Sequence, residues 1–327
     1  MKKTDVTALG ELLIDFTENG ISQQGNPLME ANPGGAPCNV LAMLTKLGNK
    51  TAFIGKVGKD NFGSTLKNTV TELGINTKYL YQDEKVPTTL AFVHTQEDGD
   101  REFSFYRSPG ADMMLTEEEI EPSIIEESRI FHFGTLSMTH ETVRNATKKA
   151  VQIAKKKGVL ISFDPNIREP LWDSLEEMRK QVEYGLKNCD ILKISDNEIQ
   201  WFTGEMDYTK GVKKLLEIHH IPLILVSMGK NGSRAYYKDM IVEAASILSQ
   251  STIETTGAGD TFGACVLDYV LKHGLEQLTQ MQLKEMLVFA NAAASIVTTK
   301  KGALRVMPSK EEVEHLVATL KTIPKED

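Results

Sequence analysis

Short apolar runs alternate along this chain with longer stretches whose apolar residues recur every three or four positions. Residues 5–16, 51–57, 129–133, 159–163, 190–194 and 222–227 read as strands. The stretches 37–47, 60–73, 140–157, 173–187 and 207–219 read as helices; in the first, Val40, Leu41, Leu44 and Leu47 share one side. Strands followed by helices of this length imply parallel βαβ units, with helices on both faces of one sheet. No Pro/Ser-rich linker, low-complexity segment or internal repeat divides the pattern. The expected class is therefore α/β, a single domain over 1–327 with three α/β/α layers and a mostly parallel central sheet.

One region breaks the rhythm. Residues 87–94 and 101–107 are strand-like and flank Glu97-Asp98-Gly99-Asp100, where Asp-Gly signals a hairpin. Phe103, Phe105 and Arg107 fall on one face of the second run, Ser104 and Tyr106 on the other. On periodicity this is a lid over a site, an interface strand or ordinary edge structure. The last third carries hairpin-like strands over 232–246, then the run Glu254–Asp260 followed by a helix through Leu271, and another helix over 285–297.

Composition narrows the classes. With 41% hydrophobic and 25% charged residues the chain has the mix of a soluble globular protein. Its net charge of −8 argues against nucleic acid, whose phosphates require clustered Lys and Arg. Cys38, Cys189 and Cys265 lack CxxC spacing, which points away from zinc or a disulfide framework and toward buried thiols in a reducing compartment. Asp5, Glu11 and Asp15 interrupt any signal-peptide core, and no apolar run is long enough to span a membrane. The expected location is cytoplasmic.

The densest chemistry lies in Glu254-Thr255-Thr256-Gly257-Ala258-Gly259-Asp260. Small residues ahead of a helix leave the N–H groups of Gly257, Ala258 and Gly259 uncovered, and a helix N-terminus attracts anions. Asp260, in the first turn beside them, is placed to accept a proton from an attacking hydroxyl. The same residues also suit a plain helix cap, with Asp favourable on the dipole. There is no GxxxxGK[ST], no GxGxxG after the first strand and no HExxH, which excludes P-loop, Rossmann and zincin readings.

ETTGAGDTFGA (Glu254–Ala264) resembles the C-terminal signature of the ribokinase-like (PfkB) carbohydrate kinases, and NPGGAPCNVLA (Asn32–Ala42) resembles their sugar-site signature. DPNIR (Asp164–Arg168), SDNE (Ser195–Glu198) and SMGKNG (Ser227–Gly232) follow in the expected order, so the similarity spans roughly 5–310. GELLIDF, FSFYR, DPNIR and ANAAAS…TKKGAL are most similar to the fructokinases within that family. The resemblance implies an ATP-dependent kinase acting on a small sugar, with Asp260 as base and Gly257, Ala258 and Gly259 as anion hole. Asp15, Gly34, Gly35, Asn39 and Arg107 match sugar-side residues. Ser227, Gly229, Gly232 and Asn291 match the ATP side. Asn166, Arg168 and Lys193 stand at strand ends near the transferred phosphoryl group; Arg168 suits it because a guanidinium forks onto phosphate.

Two departures stand out. Ser195 replaces an Asn ahead of Glu198, the residue implied to organise Mg²⁺ through water. Glu254 replaces an Asp that, with Thr256 and carbonyls near Val297–Gly302, would hold K⁺; the longer carboxylate reshapes that loop. The resemblance further implies a lid from about 12–36 and 87–112 that pairs two copies into a homodimer, and no membrane partner. Rival readings are a 2-keto-3-deoxygluconate kinase and a catalytically inactive sugar- or nucleotide-sensing protein.

Overall fold

The computed structural model describes residues 2–95, 101–249 and 251–322. The N-terminal half runs β1 (Thr4–Leu9), β2 (Leu13–Ile21), β3 (Pro27–Gly34), α1 (Ala36–Lys46), β4 (Thr51–Gly58), α2 (Asn61–Glu72), β5 (Asn76–Asp83), β6 (Leu90–Thr95), β7 (Arg101–Tyr106), α3 (Pro122–Glu126), β8 (Ser128–Gly134) and α4 (Glu141–Lys156). There follow β9 (Leu160–Asp164), α5 (Leu175–Asn188), β10 (Ile191–Ser195), α6 (Asp196–Thr203), α7 (Tyr208–Ile218) and β11 (Leu223–Ser227). The chain closes with β12 (Ser233–Tyr237), β13 (Met240–Ala244), α8 (Ala258–His273), α9 (Gln280–Val297) and α10 (Lys310–Thr322).

Among the described residues, nine strands form the main sheet in the order β13-β12-β11-β10-β9-β8-β1-β4-β5, parallel except where β12 and β13 turn back. Both faces are apolar, as a sheet covered on two sides requires. Along β11, Leu223 and Leu225 enter one core with α1, α8 and α9, while Ile224 and Val226 enter the other with α4, α5 and α7. This is the three-layer α/β/α arrangement.

The second sheet has, among the described residues, four strands, β3-β2-β6-β7. It corrects the reading of 5–16 as one strand. β1 stays in the main sheet, and after Gly10–Leu12 the chain starts a new strand in the small one. Both runs are apolar, so hydropathy alone cannot mark the change of partner. The run 87–94 also loses its first residues. Thr88 Oγ1 donates to Asp60 Oδ1 (2.8 Å) and Thr89 Oγ1 donates to Asp112, so these hydroxyls fasten the strand's root and pairing begins at Leu90. β3, β5, α3, α6 and α10 went unforeseen. α9 starts five residues earlier than expected because Thr279 and Gln282 form a capping box. The turn at Glu97–Asp100 and the Phe103 side chain lie outside the described residues.

Candidate active site

A cavity of about 830 Å³ lies at the carboxyl ends of the main-sheet strands, roofed by the small sheet. Open α/β sheets present ligand-binding loops at that edge. Asp15 comes from β2, on the face opposite the fully buried Ile14. Gly34, opposite Leu13 in the β2–β3 ladder, leaves room for it: a Cβ there would collide with Asp15 Oδ2. Gly35 has φ 128°, and a Cβ would run into Glu11 O. The two glycines thus let the chain turn tightly against the β1–β2 connector.

Asn39, in the first turns of α1, donates from Nδ2 to Asp260 Oδ2 at 2.8 Å. Asn39 lines the cavity, and its Oδ1 is buried with no hydrogen-bond partner among the described residues.

Asp260 stands in the first turn of α8, which starts after Gly257 at φ 77°. A Cβ on Gly257 would lie 2.8 Å from Ala303 Cβ, closer than packing permits. Gly257 and Gly259 both line the cavity, with no side chains to cover their amides. Ala258 differs from expectation: it is not on the cavity wall, and its N–H donates to Thr255 O at 3.3 Å.

Cationic groups converge on the same point. Lys193 Nζ pairs with Asp164 Oδ2 at 3.0 Å and lies 3.1 Å from where a Cβ of Gly259 would stand, close to the α8 N-terminus. Burial pulls its ammonium down, but Asp164, Glu198 and Asp260 together raise it above its ordinary value. Arg168 lines the cavity, and its charge acts on both Asp15 and Asp260. Asn166, at φ 43°, turns the loop after β9 so that both residues reach the wall; asparagine tolerates that left-handed conformation better than most residues.

Burial pushes the Asp15 carboxyl up to about 7, with Glu254 and Asp260 adding to the rise and Arg168 opposing it. Asp260 is also raised by burial, held back by the Asn39 hydrogen bond, Lys193 and Arg168. Asp164 is raised to about 6 by burial, although Lys193 pairs with it.

Other expected residues sit outside the cavity. Arg107 is buried, donates from Nε and Nη2 to Asp112 Oδ2 (2.8 and 2.6 Å), and reaches Thr139 Oγ1 (2.9 Å) and Leu136 O (3.0 Å). It anchors the end of β7 instead of lining the wall; Phe105 lines it. Ser227, Gly229 and Gly232 cluster where β11 turns into β12, and none of them lines the cavity. Asn291 bridges α9 to that turn, accepting from Ser233 Oγ (2.9 Å) and donating to Ala244 O and Ala245 O.

Glu198 is spent as a cap. Its Oε1 accepts from Ile167 N–H and Oε2 from Ser195 N–H, both at 2.8 Å. Glu254 lines the cavity, accepts from Thr256 Oγ1 and Gly302 N–H, and bears on Asp15. Among the described residues no three His, Cys, Asp or Glu side chains are grouped to hold a metal ion. No described helix is long and apolar enough to cross a membrane. Glu11, on the cavity wall, and Asp164, paired with Lys193, were not foreseen; the available signal was a carboxylate at or just past the end of an apolar strand.

A family model described as pfkB family carbohydrate kinase matches residues 3–310. The chain is 41% identical over 313 residues to a protein of Arabidopsis thaliana named "Probable fructokinase-2", covering 93% of each. Its fold superposes with TM-score 0.88 on a fructokinase with bound ATP from Xylella fastidiosa, at 27% identity, covering 98% of this chain and 100% of that one. It superposes with TM-score 0.87 on a fructokinase from Vibrio cholerae in a form with fructose, ADP and calcium ion bound, at 28% identity, covering 97% and 100%.

Proposed function

Because the chain belongs to the pfkB family of carbohydrate kinases, we propose that this ATP-dependent sugar kinase phosphorylates fructose at O6. The observation that carries the reading is one junction: Asp260, held by Asn39, beside the α8 amides and across one cavity from Asp15. A sugar there would hydrogen-bond Asp15 and Asn39 and bring a primary hydroxyl to Asp260. Asp260 accepts the hydroxyl proton as the oxygen bonds to the γ-phosphorus and the bond from that phosphorus to the leaving ADP oxygen breaks. The amides of Gly257 and Gly259, with Lys193 and Arg168, meet the charge on the phosphoryl oxygens. Ser227, Gly229 and Gly232 form the adenosine end, and Asn291 braces it from behind.

Glu198 has both oxygens committed to N–H donors, so Mg²⁺ would be held there through water and the ATP phosphates. When bound, it neutralises phosphate charge. Glu254 and Thr256 are bonded to each other, so K⁺ would depend on backbone carbonyls near 297–302. The 2-keto-3-deoxygluconate alternative is not favoured: its carboxylate wants a cation, and the Arg107 guanidinium is already bonded to Asp112. An inactive sensor would have no use for Asp260 beside uncovered amides. Three buried, unbridged cysteines support a cytoplasmic setting.

The test is ADP release, coupled to a reporter, over fructose, ribose, 2-keto-3-deoxygluconate and adenosine, with and without Mg²⁺ and K⁺. Fructose should exceed the others in kcat/KM by about 100-fold, a margin that two or three well-placed hydrogen bonds supply. Equal rates for all four, or ADP release independent of sugar, would remove the assignment.

The lid's outer face suits a second copy of this chain. Phe16 stacks on Phe92 (4.9 Å between centroids), Phe62 and Tyr106 pack edge-on around them, and Tyr106 is 68% exposed. Phe105, on the other face of β7 from Tyr106, lines the cavity. Sedimentation should give a dimer at micromolar concentration that Tyr106→Glu dissociates; a monomeric wild type would count against this pairing.

A further inference from the structure

Glu11 is a buried carboxylate that the phosphoryl transfer leaves without a task. It is 3% exposed and stands in the connector through which the chain leaves the main sheet for the small one. Its Oε1 accepts the N–H of Ala36, the first residue of α1, at 2.9 Å. Its backbone oxygen bounds Gly35, where a Cβ would strike it. Both ends of the residue therefore hold the turn that carries Gly34 and Gly35 and leads into Asn39.

Other charged and titratable groups face it from every side. Arg107 and Asp112 bear on it from the root of β7, and Cys38 from α1. His132 of β8 and Asp164 of β9 share a small adjoining cavity with it. Arg107 is fixed in turn to Leu136 O and Thr139 Oγ1, so this corner joins the lid's root to the main body.

We propose that Glu11 is a positioning residue for the sugar subsite, holding the 34–36 turn through Ala36 N–H while facing the Arg107–Asp112 pair, so that Asp15 and Asn39 keep their place relative to Asp260. Burial raises the Glu11 carboxyl to about 7, its own and Ala36's N–H groups and Arg107 opposing. A charge is harder to bury there than a neutral acceptor, and the hydrogen bond from Ala36 N–H offsets part of that cost.

The proposal rests on the sugar-kinase reading, and the experiment separates the two. Wild type, Glu11→Gln and Glu11→Ala are compared in amide hydrogen exchange of the free protein and in steady-state kinetics with fructose and ATP. Glu11→Ala should speed exchange across 33–40 and raise the fructose KM about tenfold, while the ATP KM stays within about twofold. Glu11→Gln, which keeps an oxygen acceptor for Ala36 N–H, should recover most of both effects. Unchanged exchange at 33–40 in Glu11→Ala overturns the proposal. So does a parallel rise of both KM values that Glu11→Gln fails to rescue. A wild type that phosphorylates no sugar overturns the kinase reading alone, since the exchange data still decide the role of Glu11.

Discussion

Asp260→Asn should lower kcat for fructose about 10³-fold, the usual reach of a positioned base, while ATP binding measured by calorimetry stays within about twofold. The amide keeps the size of the side chain and can still meet Asn39, whose Nδ2 donates to Asp260 Oδ2 in the parent (2.8 Å). What it cannot do is take up the proton of the sugar hydroxyl. The α8 amides, Lys193 and Arg168 are left in place, so the phosphates keep their contacts. The variant should not melt below the parent. Asp260 is half-buried and desolvation raises its carboxyl, which means its charge is held at some expense to the fold. Turnover within tenfold of wild type would take Asp260 out of the base role.

Asp15→Asn should show a loss of function and a gain in stability together. The Asp15 carboxyl is pushed up to about 7, chiefly by burial and next by Glu254, against ~3.9 in an unfolded chain. A group that binds its proton more tightly when folded favours the native state at low pH. That contribution fades as pH rises from ~4 to ~7 and is gone above the folded value. The asparagine carries no such dependence. At pH 8 the variant should therefore be more stable than the parent by ~1–4 kcal/mol, with the gap closing below pH ~4.

Its kcat/KM for fructose should fall about 10²-fold, because an ionised acceptor for sugar hydroxyls becomes a neutral amide with an N–H turned toward them. For the parent, the fructose KM should rise as pH falls through about 7, since protonating Asp15 removes the same acceptor. Denaturation midpoints and kinetics over pH 4–8 measure both arms. A variant that is less stable at pH 8 and binds fructose normally would show that Asp15 is a structural carboxylate. Stability gained by removing a functional charge is the common trade at a binding site.

Much of this was legible in the linear chain because the physics is local. Alternating apolar runs on both faces dictate a covered parallel sheet; of the six strands read from them five are present, and the sixth, 5–16, is split between the two sheets. Gly-Ala-Gly-Asp ahead of an apolar helix places an acid beside uncovered amides whatever surrounds it, and α8 begins there. Gly34 and Gly35 matched sugar-side residues, and the structure shows what packs against them: the Asp15 carboxylate and the Glu11 carbonyl.

Tertiary structure alone decided which groups answer one another. Asp15 and Asp260 are 245 positions apart in number, and only the folding of β2 over α8 lets one charge act on the other. Arg107 read as a substrate cation because its strand could face a site, but Asp112, five residues on, captures it in the core. Glu11 read as a mere interruption of an apolar run until Ala36 N–H and the Arg107 corner surrounded it. Hydropathy and helix-end chemistry act between near neighbours and leave their mark on the string of residues. Desolvation and pairing of charge depend on what the fold brings within a few ångströms, and that information exists only after the sheet has closed.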